Sequence, residues 1–239
     1  MPSIDPEILR LARTRRGPYL AALSASPDKQ AGLLAVLAFD AELARIPERV
    51  SEPMLGRIRL QWWLDLLPAL AQGTVDAATA EHPVVQALQP LVLSTDALGA
   101  LVEAHIVDLN TTALSPAQYR EQAEAAGAAL AKLWLQVLAV TDPQAHIAVQ
   151  EIATAWGLAE CGEAVKRLAS PEDTEDLRAQ ALALLKQART HTIADKSQRK
   201  AALPALLLAR LVDRKLSSPG PLGAGAVISV WWGSLSGRY

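Results

Sequence analysis

The sequence predicts an all-α protein, and three observations carry the prediction. Apolar residues make up 51% of the chain but only 4% of all residues are aromatic, so the core must be built mostly from Ala and Leu. These are the strongest helix formers, whereas sheets favour Val, Ile, Thr and aromatics. Capping residues stand directly before proline at Ser26-Pro27, Ser115-Pro116, Asp142-Pro143 and Ser170-Pro171. That is the arrangement of a helix start, where the missing N–H costs nothing and φ is already helical. No segment has the two-residue alternation of a half-buried strand.

In chain order, the spacing predicts helices at about 5–15 and 18–24, then 27–46 opened by Ser26-Pro27 and carrying Leu33, Leu34, Leu37 and Leu43 at helical intervals. A helix over 52–72 places Arg59 and Trp63 on one face and turns Trp62 elsewhere, so one of the two indoles belongs to the core. Shorter segments at 83–93 and 95–110 follow. The second carries His105 and Asp108 one turn apart, a spacing that allows contact but is read first as a polar helix face. Ser115-Pro116 opens 116–140 and Asp142-Pro143 opens 143–169, where Glu160 and Glu163 continue the side marked by Val149, Ile152 and Trp156, with Arg167 one turn on. Those carboxylates either reach an interior cavity or emerge as a solvated ion-pair cluster worth little. Helices at 172–193 and 197–216 and a tail helix near 224–236 complete the chain. The segments 27–46, 52–72, 116–140 and 143–169 have the longest apolar stripes and are expected to form the central bundle. Short loops and uniform composition point to one domain over 1–239, with 220–239 as a candidate docking tail.

Composition also excludes functions. With 239 residues and a net charge of -2, the chain has no broad cationic surface for nucleic acid. Cys161 is the only cysteine, which rules out an internal disulfide and leaves a thiolate zinc site without a second ligand. His82, His105, His146 and His191 are scattered and form no metal-binding pair on one helix, so no metal is expected. There is no P-loop, no Gly-x-Ser-x-Gly elbow and no run long enough to span a bilayer. The start of the chain lacks a signal-peptide pattern, giving the expectation of a protein of a reducing compartment. The tail from Pro221 to Gly233 is apolar and ends in Val230-Trp231-Trp232, a pattern used for packing, for partner contact or at a membrane surface.

Tyr19 to Leu23, Ala35 to Arg45, and above all Val50-Ser51-Glu52-Pro53-Met54-Leu55-Gly56-Arg57-Ile58-Arg59-Leu60-Gln61-Trp62-Trp63-Leu64-Asp65 resemble the squalene/phytoene synthase family. Supporting matches lie at His82-Pro83-Val84-Val85, Val107-Asp108-Leu109, Tyr119 to Leu130, Ala155-Trp156-Gly157-Leu158 and Ala202 to Leu206. The resemblance is closest to the branch of the phytoene-synthase-like mitochondrial complex I assembly factor and its bacterial relatives. It implies an isoprenoid-synthase-like helical bundle around a central cavity. In active members, two acidic helix motifs hold magnesium ions on a diphosphate, a task for hard carboxylate oxygens one turn apart.

Here the first motif falls on Ala44, Arg45 and Glu48, and the second on Ala164, Arg167 and Leu168, with Glu160 and Glu163 at its Asn and Arg positions. The resemblance therefore implies a non-catalytic protein that binds or assembles a respiratory complex, with no cofactor and with a lipid or isoprenoid as the candidate cavity occupant. It places the protein on the cytoplasmic or mitochondrial matrix side, peripheral to the inner membrane. Two alternatives stay open. One is an active prenyl synthase with magnesium held by relocated ligands Asp40, Glu48, Glu160 and Glu163; the other is an accessory subunit of a membrane-associated complex. Candidate cavity residues are Asp40, Glu48, Arg59, Asp108, Glu160 and Glu163. Candidate partner or membrane contacts are Val230, Trp231 and Trp232.

Overall fold

A computed structural model of the chain describes residues 4–109, 113–160, 171–218 and 220–239. Among the described residues there is no strand, and thirteen α-helices run in order: α1 (Pro6–Thr14), α2 (Arg16–Ala22), α3 (Pro27–Ala44), α4 (Pro53–Gln72), α5 (Ala77–Ala80), α6 (Pro83–Leu88), α7 (Thr95–Ala104), α8 (Pro116–Val137), α9 (Pro143–Ala159), α10 (Pro171–Ala188), α11 (Lys196–Leu206), α12 (Leu208–Ser217) and α13 (Ala224–Ser236). Two 3₁₀ turns, Pro47–Arg49 and Ile106–Leu109, follow α3 and α7.

The helix starts are made by the chemistry expected of them. Ser115 and Gln118 form a reciprocal capping box on α8. The Asp142 carboxylate accepts the N–H of Gln144 at 2.8 Å and of Ala145 at 3.0 Å, satisfying donors that the first helical turn leaves unpaired. Ser26 precedes Pro27 without a side-chain cap, so there proline alone sets the entry. Helix α4 ends on Gly73 at φ 66°, a left-handed position that glycine takes without steric cost.

Helix α3 is buried almost all round. Leu33, Leu37, Phe39 and Leu43 are each 0% exposed, and burial of each such side chain contributes about 1.5–3 kcal/mol. Beside it, α9 is covered by α8, α10, α11 and α12. The backbones of α8 and α9 approach closely because the facing residues are small. A Cβ on Gly127 would lie 2.7 Å from the Thr154 nitrogen, and one on Gly157 would lie 3.2 Å from Ala123 Cβ.

The expected central position of 52–72 is corrected. Helix α4 lies at the side, packed on α7 and the second 3₁₀ turn. It buries Leu60, Trp63 and Leu67 and leaves Met54, Leu55, Ile58 and Trp62 exposed. Trp63 meets Phe39 edge-on with ring centroids 5.0 Å apart, so one indole of the pair is core and the other is surface. Two long segments also break. The segment 95–110 leaves the α-helix at His105, and 197–216 divides at Leu207, whose N–H still bonds the Leu203 carbonyl at 2.9 Å while its own carbonyl takes the Arg210 N–H at 3.1 Å in a tighter turn. Within 143–169, the residues beyond Glu160 lie outside the described residues.

Helix α13 folds back on its own domain. Ala226, Val230 and Gly233 are buried against α12, and Arg210 of α12 donates to Ser229 Oγ at 3.1 Å and to the Arg238 carbonyl at 3.3 Å. Val230 is therefore core, which corrects its assignment as a docking residue.

Candidate functional site

The junction of α1 and α2, the turn after α3, the turn after α7, and the facing sides of α8 and α9 enclose a cavity of about 620 Å³. Thr14 and Arg15 reach it from the first junction, Glu48 from the turn after α3, and His105 and Asp108 from the end of α7. Helices α8 and α9 contribute Tyr119, Gln122, Ala123, Ala126, Gly157 and Glu160. Across the back, the Tyr119 hydroxyl donates to the Gly157 carbonyl at 3.3 Å.

Arg15, His105 and Asp108 of this wall join Asp40, set just behind it, in a quartet of two cations and two anions. Asp40 on α3 is 3% exposed. One of its oxygens accepts from Arg15 Nε and the other from His105 Nε2 at 2.9 Å. His105 Nδ1 turns to Asp108 Oδ2 at 2.7 Å, and Gln122 Nε2 donates to the other Asp108 oxygen and to the Ala104 carbonyl at 3.2 Å.

Burial by itself would depress the His105 pKa. The bonds to Asp108 and Asp40, with their negative charges, outweigh it and raise the value from 6.5 to about 8. The ring is thus an imidazolium at neutral pH, donating from both nitrogens. Burial would likewise push the Asp40 carboxyl up, but the Arg15 charge and the His105 bond hold it well below the usual carboxylate range. Asp40 in turn raises Arg15 above its ordinary value against the cost of burial. Two cations and two anions cancel, the condition under which buried charges are tolerated.

Of the sequence candidates, the structure brings Glu48, Asp108 and Glu160 to the cavity and sets Asp40 just behind it. Arg59 is exposed on the outer side of α4 and is corrected as a cavity residue. Glu163 lies outside the described residues, as do Ala164, Arg167 and Leu168. The reading of His105 and Asp108 as a solvated helix face is also overturned: the pair sits on a tight turn against Asp40 and Gln122. Arg15, Tyr119 and Gln122 were not singled out as site residues, and Asp40 and Gln122 are 65 and 14 residues from the groups they bond.

The magnesium set of active synthases fits the described residues poorly. Ala44 and Arg45 occupy the acidic positions of the first motif, and both Asp40 oxygens are taken by protein cations. Among the described residues, no three His, Cys, Asp or Glu side chains converge as a metal-ligand set.

The chain belongs to the squalene/phytoene synthase family, whose model matches residues 11–169, and its all-helical bundle is isoprenoid-synthase-like in fold. Over its fold it is similar to a dehydrosqualene synthase crystallised in complex with ligand, with a TM-score of 0.64, 14% identity, and coverage of 96% of this chain and 95% of that one. In sequence it is 28% identical over 152 residues to NADH dehydrogenase (ubiquinone) complex I, assembly factor 6 of Bos taurus, and 27% identical over 158 residues to that of Homo sapiens. Each alignment covers 60% of this chain and 43% of the relative, so the matched region is less than half of the relatives' length.

Proposed function

We propose that the chain is a non-catalytic member of its family that binds within, or assembles, a respiratory complex, and that the complex is an NADH dehydrogenase of the complex I type. The observation that carries the non-catalytic half is the quartet. Prenyl transfer of the family kind needs carboxylates free to hold cations against a diphosphate, since stabilising the departing anion supplies most of the rate. Here Asp40 is committed to Arg15 and His105, and Asp108 to His105 and Gln122. Glu48 and Glu160 add negative charge to the cavity lining, which does not favour a diphosphate. The assembly half draws on the two relatives named as complex I assembly factors.

On this reading the cavity is a recognition pocket with no metal cofactor, suited to a lipid or isoprenoid or to a partner segment. The protein works at the cytoplasmic or matrix face of an energy-transducing membrane. Among the described residues, no helix is long and apolar enough to cross a membrane.

Two measurements test the halves separately. Incubation with farnesyl or geranylgeranyl diphosphate in magnesium or manganese should yield no head-to-head product; turnover abolished by Glu160→Ala would establish the relocated-ligand enzyme instead. Affinity capture from source membranes should enrich NADH dehydrogenase subunits or their assembly intermediates. Capture that enriches none of them would overturn the assembly reading.

A further inference from the structure

The outer side of α13 carries an apolar face that the fold does not use. Val227 is 48% exposed, Ile228 63%, Trp231 59%, Trp232 60% and Leu235 65%. At 100° per residue these five side chains fall within an arc of about 140°, opposite the buried Ala226, Val230 and Gly233. No charged residue lies in the helix, and from Arg214 to Tyr239 the sequence contains no Asp or Glu. Arginines stand at the rim: Arg238 is exposed just beyond the helix, and Arg214 is exposed on α12 with its guanidinium against Gly225.

We infer that α13 is an in-plane membrane anchor whose five-residue face seats at the headgroup–acyl boundary of an anionic bilayer, with Arg214 and Arg238 against the lipid phosphates. Two features select a bilayer over a protein groove, and a third sets how the helix lies in it. The arc holds no hydrogen-bonding group other than the two indole N–H, and indoles favour the boundary where an apolar body meets a wet edge. The rim carries two arginines, and no Asp or Glu follows Arg214 in the sequence, which complements an anionic surface. Thirteen residues at 1.5 Å each give about 20 Å, short of the roughly 30 Å hydrocarbon core, so such a helix lies in the interface and does not span it.

The inference stands apart from the assembly reading, because vesicle binding tests it with no protein partner present. The full chain is sedimented with vesicles of phosphatidylcholine alone and of phosphatidylcholine with about one third phosphatidylglycerol. Preferential binding to the anionic vesicles is expected, weakening as salt rises and accompanied by a blue shift of tryptophan emission. The double variant Trp231→Ser, Trp232→Ser should bind about ten-fold less or weaker still, with an unchanged melting temperature because both rings are already exposed. Failure of the unaltered chain to sediment with anionic vesicles, or undiminished sedimentation of the double variant, would overturn the anchor. So would a double variant that loses capture of NADH dehydrogenase proteins when the unaltered chain ignores vesicles, since the face would then dock protein.

Discussion

Raising the pH from about 6 to about 9 should remove about 2 kcal/mol of folding stability, because His105 loses its charge in a place built for the imidazolium. Its pKa rises from 6.5 in the unfolded chain to about 8 when folded. At 1.36 kcal/mol for each tenfold change in proton affinity, that rise corresponds to about 2 kcal/mol. The folded state holds the proton more tightly, so the contribution is fully present below pH 6.5 and is lost as pH rises through about 8. His82 acts in the opposite sense and in a different window. Burial lowers its pKa, so its effect falls below pH 6.5 and leaves the upper range to His105.

The assay is urea unfolding at a series of pH values, for the unaltered chain and for His105→Gln, a neutral residue that keeps one donor. The variant should be the less stable at every pH, and the gap between the two curves should narrow by about 2 kcal/mol from pH 6 to pH 9. A total stability of about 5–15 kcal/mol makes a change of that size easily measured. Parallel curves, or a gap that widens with pH, would refute the assignment of His105 as the buried cation of the quartet.

Other substitutions follow from packing. Gly127→Ala should destabilise by about 1–2 kcal/mol in urea unfolding, since the overpacking cost exceeds the helix-propensity gain; its Cβ meets Thr154 backbone at 2.7 and 3.0 Å. By contrast, Gly99→Ala should stabilise by about 0.5–1 kcal/mol, because its nearest contact is an ordinary 3.6 Å to Leu67. Trp63→Ala should cost about 3–5 kcal/mol and lower the melting temperature sharply, while Trp62→Ala, 41% exposed, should cost far less. Ala139→Gly should raise stability by about 1 kcal/mol in the same assay. Ala139 ends α8 at φ 56°, a left-handed conformation that costs a Cβ.

What the sequence made legible was local. Helix identity and most starts could be read from Ala and Leu content and from caps such as Ser115 and Asp142, because those signals act within a turn or two. Breaks at His105 and Leu207 were not legible, since propensity favours continuing the helix and only the surrounding fold decides where the chain must turn. The quartet was illegible for a related reason. His105 and Asp108 are neighbours whose contact is visible in the spacing, but whether they face water or the core depends on Asp40 and Gln122, brought in from other helices. Arg15 carries no local signal of its role. On α4, period alone could separate Trp62 from Trp63 but could not say which side was core, and Arg59, one turn before the buried Trp63, is itself exposed.

The close seam between α8 and α9 has a consequence for what the cavity can accommodate. Between Tyr119, Gln122 and Glu160, the residues Ala123, Ala126 and Gly157 line it with almost no side chain, so that strip of the wall is essentially main chain. A wall made of Leu or Met adapts by changing rotamers, at a cost of fractions of a kilocalorie. A main-chain wall moves only when whole helices slide, and here Gly127 against Thr154 blocks closer approach. The chamber is therefore fixed along this seam, and its shape can change only through side chains of its other walls, such as Glu48 from the turn after α3. Any molecule entering along the seam would have to match that spacing as it stands.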